Sequence, residues 1–123
     1  MVQIVLYSRH TDAWKIADLG FACEGTSRDP RTSLISRGTP GYPAPELVDG
    51  EFEIYTNKVD IWALGCIFYE TMFKAKAFGN DGAVMAYFYP TGTLRQPQFS
   101  SYHGIKTALV MPMIVRMLSK DPT

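Results

Sequence analysis

Residues 38–46 read Gly-Thr-Pro-Gly-Tyr-Pro-Ala-Pro-Glu, and no other stretch of this 123-residue chain is as informative. Asp18-Leu19-Gly20 lies upstream of it, and Asp60-Ile61-Trp62-Ala63-Leu64-Gly65 lies downstream. An Asp-Leu-Gly tripeptide by itself indicates no more than a turn. The three motifs together, in this order and at this spacing, are far more specific, so they decide how the whole chain is interpreted.

With these motifs the chain resembles the eukaryotic serine/threonine protein kinases from about residue 3 to residue 123. The resemblance implies one partial kinase domain over residues 1–123. Its fold would be mainly α, a kinase-like C-lobe with a short N-terminal β-hairpin and without an N-lobe. The expected parts are a hairpin over 1–17, an activation segment over 18–46, a central buried helix over 57–73 and C-terminal helices over 81–123.

The same resemblance implies a chemistry. In this family phosphate passes from ATP to a protein hydroxyl while magnesium is held on the phosphates. Asp18 would be the metal-binding carboxylate, and Gln3 would stand at the second magnesium-binding position of the cofactor site. Gly38, Thr39 and Tyr42 would contact the substrate. The implied cofactors are ATP and Mg²⁺, and the implied partners are protein substrates with serine or threonine acceptors, or other kinase-interacting proteins.

Three hydroxyl residues, Thr32, Ser33 and Ser36, lie in a polar stretch over residues 24–37 that would belong to the activation loop. They are candidate phosphorylation sites, because a phosphate there would order the loop against an arginine cluster. Plain solvated loop hydroxyls explain any one of them equally well.

The remaining motif residues are structural in the family. Asp60 would hydrogen-bond the backbone of the catalytic loop, or it would only place a negative charge near the N-terminus of a helix. Glu46 would form a buried salt bridge with an arginine that follows an Asp-Pro, and the sequence ends at Asp121-Pro122-Thr123. The expected structural set is Gly20, Glu46, Asp60, Trp62 and Gly65.

Several parts of a complete kinase domain have no counterpart in these residues. A Gly-rich loop and the lysine that grips the nucleotide phosphates are missing, and the catalytic aspartate would precede Met1. We therefore expect no catalytic residue in this chain and no phosphotransfer by it alone. The incomplete cleft also argues against ATP and magnesium binding by the isolated chain. Its fold should be marginal, with Trp62, Ile67 and Phe68 exposed.

Two other functions remain open. The chain could be a non-catalytic, pseudokinase-like interaction module that binds partners through residues 38–46 and the helix that starts near Asp81. An unrelated small binding protein is the third interpretation, and it requires all three motif matches to be accidental.

Composition limits the possible partners and the possible location of the protein. Twelve basic residues balance twelve acidic ones, so charge gives no reason to expect nucleic acid or an anionic membrane as a partner. The longest apolar stretch, residues 59–73, is too short to span a bilayer. Cys23 and Cys66 form no metal or redox spacing and suit a reducing compartment. We predict an intracellular protein, cytoplasmic or nuclear.

The pattern of apolar residues predicts the elements. Residues 4–7 and 14–17 should pair as a hairpin, and residues 24–37 should form a loop. A helix capped by Asn57 is apolar on every face, so in a complete domain it should be buried all round. Further helices should start near Asp81 and run over about 107–118, with Pro112 tolerated only in the first turn of the latter.

Overall fold

The computed structural model describes residues 5–17, 19–22, 29–33, 38–48, 53–89, 92–94 and 104–119. Its architecture is mainly helical with an N-terminal hairpin, as the sequence predicts, and it has a second small antiparallel sheet that was not predicted. In these ranges no helix is long and apolar enough to cross a membrane. The strands are β1 (Val5–Ser8), β2 (Ala13–Ile16), β3 (Arg31–Ser33) and β4 (Glu53–Tyr55); the helices are α1 (Lys58–Phe73), α2 (Asp81–Phe88) and α3 (Gly104–Met117); and 3-10 turns cover Leu19–Phe21 and Pro45–Leu47.

Strands β1 and β2 form the predicted hairpin, in which Val5 lies opposite Ile16. Asp12 in the connecting turn has a φ of 47°, a left-handed conformation that aspartate tolerates better than most residues. The Tyr7 hydroxyl donates a hydrogen bond to the Asp12 carboxylate, and the Tyr7 ring centroid lies 5.3 Å from that of Trp14. Backbone pairing and these side-chain contacts therefore set the register of the hairpin.

A second sheet interrupts the segment that was expected to be a loop. Strand β3 lies within residues 24–37 and pairs with β4, with Arg31 opposite Tyr55. Each strand has three residues. That length is too short to display the alternation of apolar and polar residues by which a strand is recognised in sequence. The prediction of a continuous loop over residues 24–37 is therefore wrong at residues 31–33.

Helix α1 starts one residue after its predicted cap. Asn57 has helical backbone angles, with φ −61° and ψ −5°, and its side chain makes no capping hydrogen bond. An N-cap side chain normally reaches the first turn from an extended backbone, which explains why this prediction is wrong. Thr56 Oγ1 accepts the hydrogen bond from the Lys58 N–H instead, at 3.2 Å. At the other end, Lys74 is left-handed and closes the helix.

Helix α1 is the centre of the core, but it is not covered on all sides. Trp62, which was expected to be exposed, is buried because Phe78 stacks on its ring at 5.6 Å and Tyr87 packs beside both. Within the described ranges the opposite face is only partly covered, so the all-round burial expected of this helix in a complete domain is not seen in this chain. The exposed fractions on this face are 44% for Ile61, 37% for Leu64 and 36% for Phe68, the last as expected. Ile67, which was also expected to be exposed, is half-buried.

The other two helices pack against this centre. Asn80 caps α2, its Oδ1 accepting from the Ala83 N–H at 2.9 Å. Helix α3 starts at Gly104, earlier than predicted, which puts Pro112 in its interior rather than in its first turn. An interior proline costs about 3 kcal/mol. Ile114 and Leu118 are fully buried, and their packing offsets that cost, so the prediction about Pro112 is wrong.

Candidate functional site

Residues 38–48 form a loop whose second half is packed into the core. Residues 38–40 are exposed, whereas residues 43–45 are buried. The Leu47 N–H donates to the Ala44 carbonyl at 2.9 Å and closes the 3-10 turn. The loop therefore presents an exposed edge on a fixed base.

Gly41 attaches the loop to helix α2. Its N–H donates to Asp81 Oδ1 at 2.7 Å, and its φ is 86°. A Cβ atom at this position would lie 2.5 Å from the Phe78 carbonyl oxygen, so only glycine fits without a rearrangement. Asp81 also lies in the first turn of α2, where the helix dipole favours a negative charge. One carboxylate thus stabilises both the helix and the loop.

Tyr42 attaches the loop to helix α1. Its hydroxyl donates a hydrogen bond to Glu70 Oε2. Burial, followed by this bond, raises the pKa of Tyr42 well above its ordinary value, so the hydroxyl remains a donor at any physiological pH. On the ring face, Lys76 Nζ lies 5.3 Å from the centroid, within the range of a cation–π contact.

Sequence reasoning missed the three residues that hold or flank this part of the loop, Glu70, Lys76 and Asp81. A signal for Glu70 was present, because it and Asp60 are the two acidic residues in the mostly apolar sequence of α1. An acidic side chain in such a helix needs a hydrogen-bonding partner. The sequence offers no comparable signal for Lys76.

The structural motif residues lie in several elements. Gly65 allows α3 to approach α1, because an added Cβ would lie 3.0 Å from Met117 Cβ. Trp62 Nε1 is buried and has no hydrogen-bond partner within the part of the chain that the structure describes. Asp60 is exposed in the first turn of α1. Gly20 and Glu46 lie in the two 3-10 turns, and Glu46 is half-buried.

The structure describes only some of the residues that were predicted to bind the cofactor or to be phosphorylated. Gln3, Asp18 and Ser36 lie outside the described residues. Thr32 and Ser33 belong to β3. The described ranges contain no group of three or more His, Cys, Asp or Glu residues that could hold a metal ion. The roles expected for these residues therefore remain predictions.

Comparison with known proteins gives a consistent result. The protein kinase domain family model matches residues 3–122. The chain is 33% identical over 79 residues to serine/threonine-protein kinase nekl-2 of Caenorhabditis elegans, a match that covers 64% of this chain and 21% of that protein. It is 38% identical over 76 residues to serine/threonine-protein kinase Nek8 of Danio rerio, which covers 62% of this chain and 10% of that protein.

A third relative is matched over a longer part of the chain. Mitogen-activated protein kinase 18 of Arabidopsis thaliana is 28% identical over 110 residues, covering 88% of this chain and 18% of that protein. The chain thus spans between 10% and 21% of the length of these relatives. The family model nevertheless covers nearly all of its residues. The chain therefore belongs to the protein kinase family.

Proposed function

We propose that this chain is the C-lobe portion of a serine/threonine protein kinase domain, and that residues 38–46 hold a peptide acceptor beside the terminal phosphate of ATP. The double attachment of the loop carries this proposal, Gly41 being bound to Asp81 and Tyr42 to Glu70. Phosphoryl transfer depends mainly on positioning, so a loop with a fixed base is what the acceptor side of such a site requires. The serine/threonine kinases among the relatives support the class of acceptor.

Particular residues have particular roles in this proposal. Thr39, with Gly38 beside it, is on the exposed edge of the loop and would contact the substrate, and Tyr42 would form the base of the site. Asp18 and Gln3 would hold magnesium-bound ATP, which supplies the phosphoryl group. The segment that includes Thr32, Ser33 and Ser36 would be part of the activation segment and would be regulated by phosphorylation. An intracellular location, cytoplasmic or nuclear, would follow from the need for ATP.

The 123 residues by themselves are proposed to be inactive. They include neither the catalytic aspartate nor the phosphate-gripping lysine expected of an active domain. The pure chain should transfer no labelled phosphate from Mg-ATP to a serine peptide, and Asp18→Ala should change nothing. Robust transfer that depends on magnesium and ATP and that Asp18→Ala abolishes would refute this part of the proposal.

A non-catalytic interaction module is the second candidate function. The observation that favours it is that Glu70 of α1 and Asp81 of α2, both in this chain, bind the loop, so a peptide surface can form without a nucleotide cleft. Fluorescence anisotropy with labelled serine-containing peptides tests both functions, because binding without ATP supports a peptide site in this chain. Gly41→Ala should weaken this binding, and Gly79→Ala is the matched control. Binding unaffected by Gly41→Ala would overturn the assignment of the site to this loop.

A further inference from the structure

We infer that Lys76 makes this site prefer peptides with an acidic side chain close to the acceptor serine or threonine. The inference rests on the proposed function, because it concerns the specificity of the same loop. Lys76 lies in the exposed segment that joins α1 to α2. Its ammonium group stands over the ring of Tyr42, a residue of the proposed substrate surface.

Two acidic groups that contact residues 41 and 42 are already engaged. Glu70 is half-buried and accepts the hydrogen bond of the Tyr42 hydroxyl, and Asp81 accepts that of the Gly41 N–H. Lys76 forms no ion pair with any carboxylate in the described ranges, and its side chain is exposed. The charge that lies over the Tyr42 ring is therefore positive, although the two engaged carboxylates lie close by.

An approaching anion would meet the ammonium group first. The aromatic ring beneath Lys76 limits the positions of the ammonium group without neutralising its charge. A carboxylate on the peptide could then pair with Lys76 while the acceptor hydroxyl lies along residues 38–40. A single exposed pair should strengthen binding by about two- to fivefold, and salt should weaken the effect.

The test uses the full chain and a set of labelled peptides with one serine each. Asp, Asn or Lys is placed at single positions from three residues before the serine to three residues after it. At low salt, the Asp peptide should bind about threefold more tightly than its Asn counterpart at one or more of these positions. Lys76→Gln should remove this difference. Lys58→Gln removes a positive charge at the opposite end of α1, and this variant should retain the difference in binding between the Asp and Asn peptides.

Three other outcomes would overturn the inference, and each has a distinct meaning. Equal binding of Asp and Asn peptides would leave the proposed function intact and remove the role of Lys76. Tighter binding of the Lys peptides would show that a carboxylate of the site, and not Lys76, sets the charge preference. Failure of every serine peptide to bind would overturn the proposed function together with the inference. Circular dichroism of both variants confirms that they are folded.

Discussion

Replacement of Gly41 by alanine tests the geometry of the loop most directly. The φ of Gly41 is 86°, a conformation that costs an L-residue about 1–2 kcal/mol. The new Cβ would also lie 2.5 Å from the Phe78 carbonyl oxygen, so the backbone at either Gly41 or Phe78 has to move. If that movement breaks the hydrogen bond to the Asp81 carboxylate, a further ~1.5–3 kcal/mol is lost. We expect Gly41→Ala to lower the free energy of unfolding by about 3 kcal/mol.

Urea denaturation followed by circular dichroism measures this change. A loss of this size is a large part of the ~5–15 kcal/mol available to a domain, and it should lower the Tm by roughly 10 °C. Gly79→Ala is the control, because an added Cβ there meets no heavy atom within 4 Å. The free energy of unfolding of this control should be within about 0.5 kcal/mol of that of the wild type. Equal stability of the two variants would refute the argument.

Three more predictions concern neighbouring contacts. Tyr42→Phe removes a hydrogen bond to a half-buried carboxylate and should cost about 1–2 kcal/mol in urea denaturation, so wild-type stability would show that the bond to Glu70 contributes nothing. Asn80→Ala removes the cap of α2 and should cost about 1 kcal/mol in thermal unfolding, whereas Asn80→Asp should be nearly neutral. Burial raises the pKa of Cys66 from 9.0 to about 12, so the unfolded thiol loses its proton first and stability should fall as pH rises from 9 towards 12. In a Cys23→Ser chain at pH 8, a thiol reagent should therefore modify Cys66 only as fast as the protein unfolds, and rapid modification of the folded protein would contradict its burial.

The parts of the fold that were predictable depend on long local patterns. Helix α1 follows from a long, mostly apolar run, and α2 starts at Asp81, where a helix start was expected. The hairpin follows from two strand-like runs on either side of a polar turn. Strands β3 and β4 have three residues each, so their pairing depends on backbone contacts that leave no periodic signal in the sequence.

The loop proposed as the site was chosen from sequence motifs, but its contacts were not predictable. Motifs locate the loop over residues 38–46, because their order and spacing are properties of the sequence alone. The residues that hold the loop come from further along the chain, Glu70 being 28 positions from Tyr42 and Asp81 being 40 positions from Gly41. The burial of Trp62 was misjudged for the same reason, because Phe78 covers it from the segment after α1.

Gly41 and Tyr42 are neighbours in the chain, yet they are bound to different helices. One is held by the first turn of α2 and the other by the end of α1. The loop therefore connects the end of α1 to the start of α2 through hydrogen bonds. The bond from Gly41 measures 2.7 Å, and hydrogen bonds are essentially lost by about 3.6 Å. A displacement of α2 by roughly 1 Å is consequently enough to break the hydrogen bond between Gly41 and Asp81. A molecule that moves this helix would therefore alter the loop without touching it.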